Sequence, residues 1–277
     1  MTTQLNAIGV GAAIVGADGD ANSANFKYKP NPRVDRVFDK AAVDKSFEAL
    51  KTFDWGSNYG EILAIDDAVA ATHGDAAARK DLETRLAAVL KINSSRAAKD
   101  FACRMIGQIG SDDSVPALAG LLTDKDLSHM ARYALERIGG PESINAMRDA
   151  LPKASSVILQ AGIIESLGAR RDGASVDVLT ALAGQRDKTL AFAAINALGK
   201  IGTPEAAKSL SDIVKKTPDD LKPIAADACL VCAERLSAEG NKAQAMLLYK
   251  GLSGEDQPKY VRLAATRGLL AAAAKKE

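Results

Sequence analysis

The sequence predicts an all-α fold: an extended arm over residues 1–36, then, over residues 37–277, a right-handed α-α superhelix of about seven stacked helical hairpins. Three observations predict it. Hydrophobic residues make up 47% of the 277 residues but aromatics only 4%, so the core is built from Ala, Leu, Ile and Val, which suits close helix packing better than a β-sandwich. Apolar residues recur at helical spacing from about Phe38 to the end. Four blocks then spell one pattern, MIGQIGSDDSVPAL (105–118), ALERIGGPESINAM (134–147), SLGARRDGASVDVL (166–179) and ALGKIGTPEAAKSL (197–210), at steps of 29, 32 and 31 residues, a helical-hairpin period.

The elements follow in chain order. Residues 1–36 lack helical periodicity, and the prolines of KYKPNPRVDR (Lys27–Arg36) favour an extended path with four basic residues against one acid. Lys27, Lys29 and Arg33 are therefore candidates for docking on a partner or a sister subunit. The opening MTTQLNAIGVGAAIVGADGDA has a Gly/Ala/Val/Ile stretch without a basic residue before it, a poor secretory signal. The chain is expected in the cytoplasm, with export to the periplasm as the alternative. Residues 40–73 supply a first helix pair, with Trp55, Phe53 and Tyr59 as a hydrophobic cap on it rather than a ligand platform.

In the four aligned blocks each column has a mechanical reason. Gly110, Gly139 and Gly202 fall where a helix ends and the backbone favours a left-handed residue. Ser111, Gly140, Asp172 and Thr203 can cap the next helix, Pro141 and Pro204 suit its first position, and Glu142 and Glu205 its dipole. The helix after each cap carries an apolar stripe, as in Val115, Leu118, Leu121 and Leu122 or Val176, Leu179, Leu182 and Ala183. The second helix of each hairpin has its own columns: Ala98, Leu127, Leu159 and Leu190 at its start, and Ala102, Ala131, Ile163 and Ala194, mostly small, in its middle. With looser spacing the template reaches Ile224, Ala228 and Cys232, then Val261, Ala265 and Leu269; Leu86, Val89 and Leu90 extend it the other way.

These columns resemble the HEAT-repeat family in its short bacterial form, whose consensus is close to VRxAAAxALGxIG. AFAAINALGKIG (191–202) and YVRLAATRGLL (260–270) follow it over most of its length, whereas Arg171 replaces the terminal glycine in one repeat and the arginine of the VR pair survives only as Arg262. The resemblance covers roughly residues 75–270 and implies a curved α-solenoid that offers its second helices to a protein partner.

Chemistry finds no anchor beside that resemblance. Lys plus Arg is 36 against 35 acids, so no broad field draws in a phosphate backbone, and nucleic acid is not expected as a partner. The HEAT-like DNA-alkylation glycosylases would call for a strongly basic face, whereas the outward second-helix positions are mixed. HEAT-like di-iron hydroxylases need several His-Glu pairs, and the chain has two histidines, His73 and His129, so no metal is assigned. Cys229 and Cys232 lie one helical turn apart in an apolar run and read as core residues. The Gly-x-Gly of GVGAAIVG lacks the strand and third glycine of a dinucleotide site, and no Walker loop or nucleophile elbow is present. No run of 18 apolar residues spans a membrane.

The expectation is a non-enzymatic scaffold without cofactor or small-molecule ligand, gripping a protein or another copy of itself. Its candidate contacts are the outward ladder Arg104, His129, Tyr133, Glu165, Asn196 and Arg267, together with the basic arm. The alternative reading is a modifying subunit similar to the HEAT-like lyases that attach tetrapyrrole chromophores to proteins.

Overall fold

A computed structural model describes residues 38–274, and the regular elements among them are all helical. They fall into seven consecutive pairs among the described residues: α1 (Lys40–Thr52) with α2 (Leu63–Ala71), α3 (Ala76–Lys91) with α4 (Arg96–Ile109), α5 (Val115–Ala119) with α6 (Ser128–Leu135), α7 (Pro141–Ala150) with α8 (Val157–Ala169), α9 (Val176–Ala183) with α10 (Lys188–Ile201), α11 (Pro204–Lys216) with α12 (Lys222–Ala238), and α13 (Lys242–Gly251) with α14 (Lys259–Ala273). The basic arm, including Lys27, Lys29 and Arg33, lies outside the described residues.

Helix starts are set by local chemistry. Asp39, Asp75 and Asp187 each accept two backbone N–H bonds from the turn they open, and Ser95, Ser156 and Thr203 accept one each, so donors that helix geometry leaves unpaired are satisfied. Pro141 and Pro204 occupy first-turn positions of α7 and α11, with Glu142 and Glu205 beside them, as the block pattern predicts.

The second helices pack in chain order, α4 on α6, α6 on α8, α8 on α10, α10 on α12 and α12 on α14, while α3, α5 and α7, then α9, α11 and α13, build the other layer. Every member of both second-helix columns, from Ala98 to Leu190 and from Ala102 to Ala194, is buried. A further column explains the inner glycine of the repeat. A Cβ on Gly168 of α8 would lie 2.7 Å from the Ala197 Cα of α10, and one on Gly199 of α10 would lie 2.8 Å from the Ala228 carbonyl oxygen of α12. These glycines let successive second helices approach backbone to backbone.

The joints depart from expectation at two of three glycines. Gly202 is left-handed (φ +67°, ψ 27°), but Gly110 is extended (φ −63°, ψ 155°) and Gly139 has no positive φ. At residue 110 the glycine is needed for space, since a Cβ would lie 2.6 Å from the Ile106 carbonyl oxygen. At the next joint α6 already ends at Leu135, and the positive φ moves one place on, to Gly140 (φ +81°), which opens α7. Arg171, the departure from the glycine column, adopts the left-handed conformation anyway, at φ 56°.

Side chains stitch neighbouring repeats at these joints. Arg79 Nε of α3 donates to the Ile109 carbonyl at the end of α4 (2.8 Å), Arg170 Nη1 to the Glu136 carbonyl just past α6 (3.1 Å) and Arg171 Nε to the Ile201 carbonyl at the end of α10 (3.2 Å), so helix C-termini find cationic donors 30 to 34 residues away along the chain. Glu83 of α3 is only 4% exposed and accepts from the Ser111 N–H (2.7 Å) and from the Ser111 and Ser114 hydroxyls (2.8 and 2.7 Å), capping the turn that leads into α5.

Candidate functional site: the second-helix face and its aromatic pocket

Arg104, Tyr133, Glu165, Asn196 and Arg267 each stand six residues after a member of the buried starting column or its α14 counterpart Val261, and His129 stands two after Leu127. Since their helices pack side by side, α4, α6, α8 and α10 present them as adjacent rows of one face, with Arg267 on α14 beyond α12. Arg104, His129 and Arg267 are exposed, while Tyr133, Glu165 and Asn196 are half-buried. Three of the six already have partners within the chain, Arg104 among them with its guanidinium carbon 5.9 Å from the centre of the Phe101 ring. The Arg137 guanidinium sits 3.5 Å from the centre of the Tyr133 ring, and Lys200 forms an ion pair with Glu165.

At the α4 end of this face lies a cavity of about 500 Å³, lined among others by Phe53, Trp55, Tyr59, Asp100, Arg104 and Met130. The reading of Trp55 as a hydrophobic cap is corrected here, because its side chain is 82% exposed. The cause is the turn that carries it. Asp54 Oδ1 accepts the Trp55 N–H (2.8 Å), the Asp54 N–H bonds the Ser57 hydroxyl oxygen (3.0 Å), and Gly56 takes φ +87°, so the loop is fixed locally without using the indole. The capping is done by its neighbours: Phe53 is half-buried against the core, and Tyr59 meets the Phe101 ring edge-on with centroids 6.1 Å apart. Ser95 ties this loop to α4, its hydroxyl donating to the Phe53 carbonyl while it accepts the Ala98 N–H.

The carboxylate in the pocket is unusual. Arg96 Nε lies 3.7 Å from Asp100 Oδ2, whereas Oδ1 is buried with no hydrogen-bond partner. Burial pushes the Asp100 carboxyl above its ordinary range, against the pull of Arg96, Arg104 and His129. Burial likewise raises the Tyr59 phenol, with Asp66 adding to the shift. Sequence reading placed Arg104 on the outward ladder but missed the cavity, because the pocket needs the 53–59 loop folded back on α4. The available signal was the run from Asp54 to Ala78, which holds five carboxylates and no Lys or Arg beside exposed aromatics.

Elsewhere, a cavity of about 900 Å³ on the first-helix layer, between α9 and α11, is lined by evenly mixed charges such as Asp177, Lys188, Lys208 and Asp212. Cys103, Cys229 and Cys232 are free and buried, and burial pushes each thiol up to about 12, which leaves almost no thiolate. Among the described residues no group of three or more His, Cys, Asp or Glu is placed to hold a metal ion, and no helix is long and apolar enough to cross a membrane.

Two layers of paired helices joined by capped glycine turns, with one layer presenting aligned side chains, define an α-solenoid of stacked helical hairpins. The sequence pattern of HEAT repeats matches residues 82–161 and 149–229, together just over half of the chain. The chain belongs to the HEAT-repeat family.

It is similar to a chain of the CpcE–CpcF complex of phycocyanin lyase from Nostoc sp. PCC7120 (15% identity, TM-score 0.42, covering 90% of this chain and 98% of that one). It is also similar to an archaeal HEAT-like repeat protein from Thermococcus onnurineus NA1 (12% identity, TM-score 0.40, 85% of this chain and 93% of that one) and to an engineered protein (20% identity, TM-score 0.32, 82% and 96%). No curated protein matches the sequence at a significant level.

Proposed function

We propose that this chain is a non-catalytic scaffold that holds a protein partner, or a second copy of itself, on the face made by its second helices. The observation that supports it most is continuity: α4, α6, α8 and α10 are neighbours in chain order, so side chains at one repeat position form one surface. Arg104 and Arg267 are exposed and of a type enriched at interaction hot spots. This face carries both signs of charge, Arg104, Glu165 and Arg267 among them, which suits a protein surface better than a phosphate backbone. The same proposal gives the basic residues Lys27, Lys29 and Arg33 a docking role.

The test is a double charge reversal, Arg104→Glu with Arg267→Glu, in the full chain. Partners recovered with the wild type by affinity purification should bind at least tenfold more weakly, as expected when hot-spot arginines worth about 2 kcal/mol are reversed. Light scattering on both proteins reads self-association in the same samples. If every partner and the oligomeric state survived the reversal unchanged, the assigned face would be wrong.

A further inference from the structure

We infer that the pocket bounded by Trp55, Tyr59 and Asp100 receives a cationic side chain, arginine above all, from an extended segment of the protein held on the second-helix face. The inference rests on the scaffold reading for the kind of partner and adds the chemistry of its anchor.

Three features point to a cation. The first is the orphan oxygen: Asp100 lines the cavity, and its Oδ1 is buried without a donor while Arg96 stands 3.7 Å from the other oxygen. A buried carboxylate oxygen without a partner is costly, and a ligand N–H, best a charged one, supplies what the chain does not. The second is the aromatic wall. Trp55 is 82% exposed and Tyr59 44% exposed, and both line a cavity of about 500 Å³. Ring faces attract ammonium and guanidinium groups, Trp most strongly.

The third feature is charge. The lining contains Asp54 and Asp100 against one basic residue, Arg104. The stretch from Asp54 to Ala78 that carries the aromatics adds Glu61, Asp66, Asp67 and Asp75 with no Lys or Arg, and both Asp66 and Asp67 act on the Tyr59 phenol. Arg104 does not fill the cation's place: its guanidinium carbon lies 5.9 Å from the Phe101 centroid and it donates no hydrogen bond to Oδ1. A planar guanidinium can stack on the indole and point its fork at the carboxylate at once, which an ammonium does less well.

Trp55 is the single tryptophan of the chain, so fluorescence excited at wavelengths beyond tyrosine absorption reports this loop. The full-length protein is titrated with the peptide acetyl-GSGRGSG-amide and with the same peptide carrying citrulline, which keeps the shape of arginine and removes its charge. Trp55 emission should respond saturably to the arginine peptide, with the citrulline peptide about tenfold weaker, and raised salt should narrow the difference. In Asp100→Asn, with an unchanged circular dichroism melt, the arginine preference should fall to about twofold or less, as the charged partner is gone.

Equal response to arginine and citrulline peptides overturns the inference on the wild type alone, whatever the variant does. A stronger response to acetyl-GSGEGSG-amide, the same peptide with glutamate in place of arginine, also overturns it and assigns the pocket to Arg104. Free L-arginine binding as tightly as the peptide would make this a small-molecule site and overturn the protein partner. The scaffold reading fails separately through Arg267, which does not line the pocket: an arginine-selective response together with partner capture that survives Arg267→Glu leaves the pocket standing and removes the ladder.

Discussion

Glu83 offers a test of how adjacent repeats are joined. Its carboxylate, 4% exposed, accepts from the Ser111 N–H at 2.7 Å and from the hydroxyls of Ser111 and Ser114 at 2.8 and 2.7 Å. Replacing it by Ala leaves the Ser114 hydroxyl, on a residue 0% exposed, and the Ser111 N–H without an acceptor. Each buried unpaired group costs about 1–3 kcal/mol. Relief from burying a carboxylate offsets part of that, so a net loss of about 3 kcal/mol is expected, the lower end of what breaking a buried charged cluster costs. Chemical denaturation followed by circular dichroism measures it, and hydrogen exchange should show the loss first in α3, α4 and α5, because a stacked array opens locally.

The same residue fixes a pH dependence. Burial raises the Glu83 pKa, but the Ser114 and Ser111 donors, with Lys80 adding a favourable charge, outweigh it and hold the carboxyl below its ordinary value of 4.5. A folded-state pKa below the unfolded one gives stability that is fully present above about 4.5 and is lost as pH falls through the depressed folded value. Glu83→Gln is neutral at every pH and lacks this term. The stability gap between wild type and Glu83→Gln should therefore be constant from pH 7 to 5 and shrink below 4.5. A gap independent of pH, or a loss below about 0.5 kcal/mol in the Ala variant, the level of an ordinary surface change, would refute the capping role.

Three further substitutions separate packing from surface. Gly199→Ala should destabilise by about 1–3 kcal/mol in thermal unfolding, since the new methyl meets the Ala228 carbonyl oxygen, which belongs to backbone and cannot swing aside. Trp55→Ala should change stability by less than about 0.5 kcal/mol, as expected of a side chain 82% exposed, whereas a buried cap would cost about 3–5 kcal/mol. At Arg171, Gly and Ala both lose the bond to the Ile201 carbonyl and the ion pair with Glu239. Only Gly also relieves the left-handed strain, so Arg171→Gly should be more stable than Arg171→Ala by about 1–2 kcal/mol, and equal stabilities would mean the backbone there is unstrained.

The helices were legible because their causes are local. A cap, a first-turn proline and an apolar stripe act within one turn or two, and the seven pairs fall where those signals repeat. The two glycine positions read as left-handed joints went astray because a glycine in a column can answer two different needs. Gly110 avoids a clash with Ile106, and Gly168 and Gly199 admit a neighbouring helix, while Gly202 alone of the three predicted joints uses the freedom of φ. Composition cannot tell these apart, since each demand is for a missing Cβ.

Arg171 shows the converse, a joint that keeps the left-handed turn without glycine because its side chain reaches Ile201 and Glu239, contacts spread over the following repeats. The pocket was hidden for a related reason. Its parts, Trp55 and Asp100, are 45 residues apart, and neither belongs to a repeated column. Repetition in a solenoid marks what neighbouring hairpins require of one another, and it is the same in every hairpin. A partner has to be recognised at a particular place along the stack, which only unrepeated residues can supply. The loop 53–59, present once and held over α4 by Ser95, is such a place, and it lies where the solenoid's uniform packing gives way to a single exposed indole.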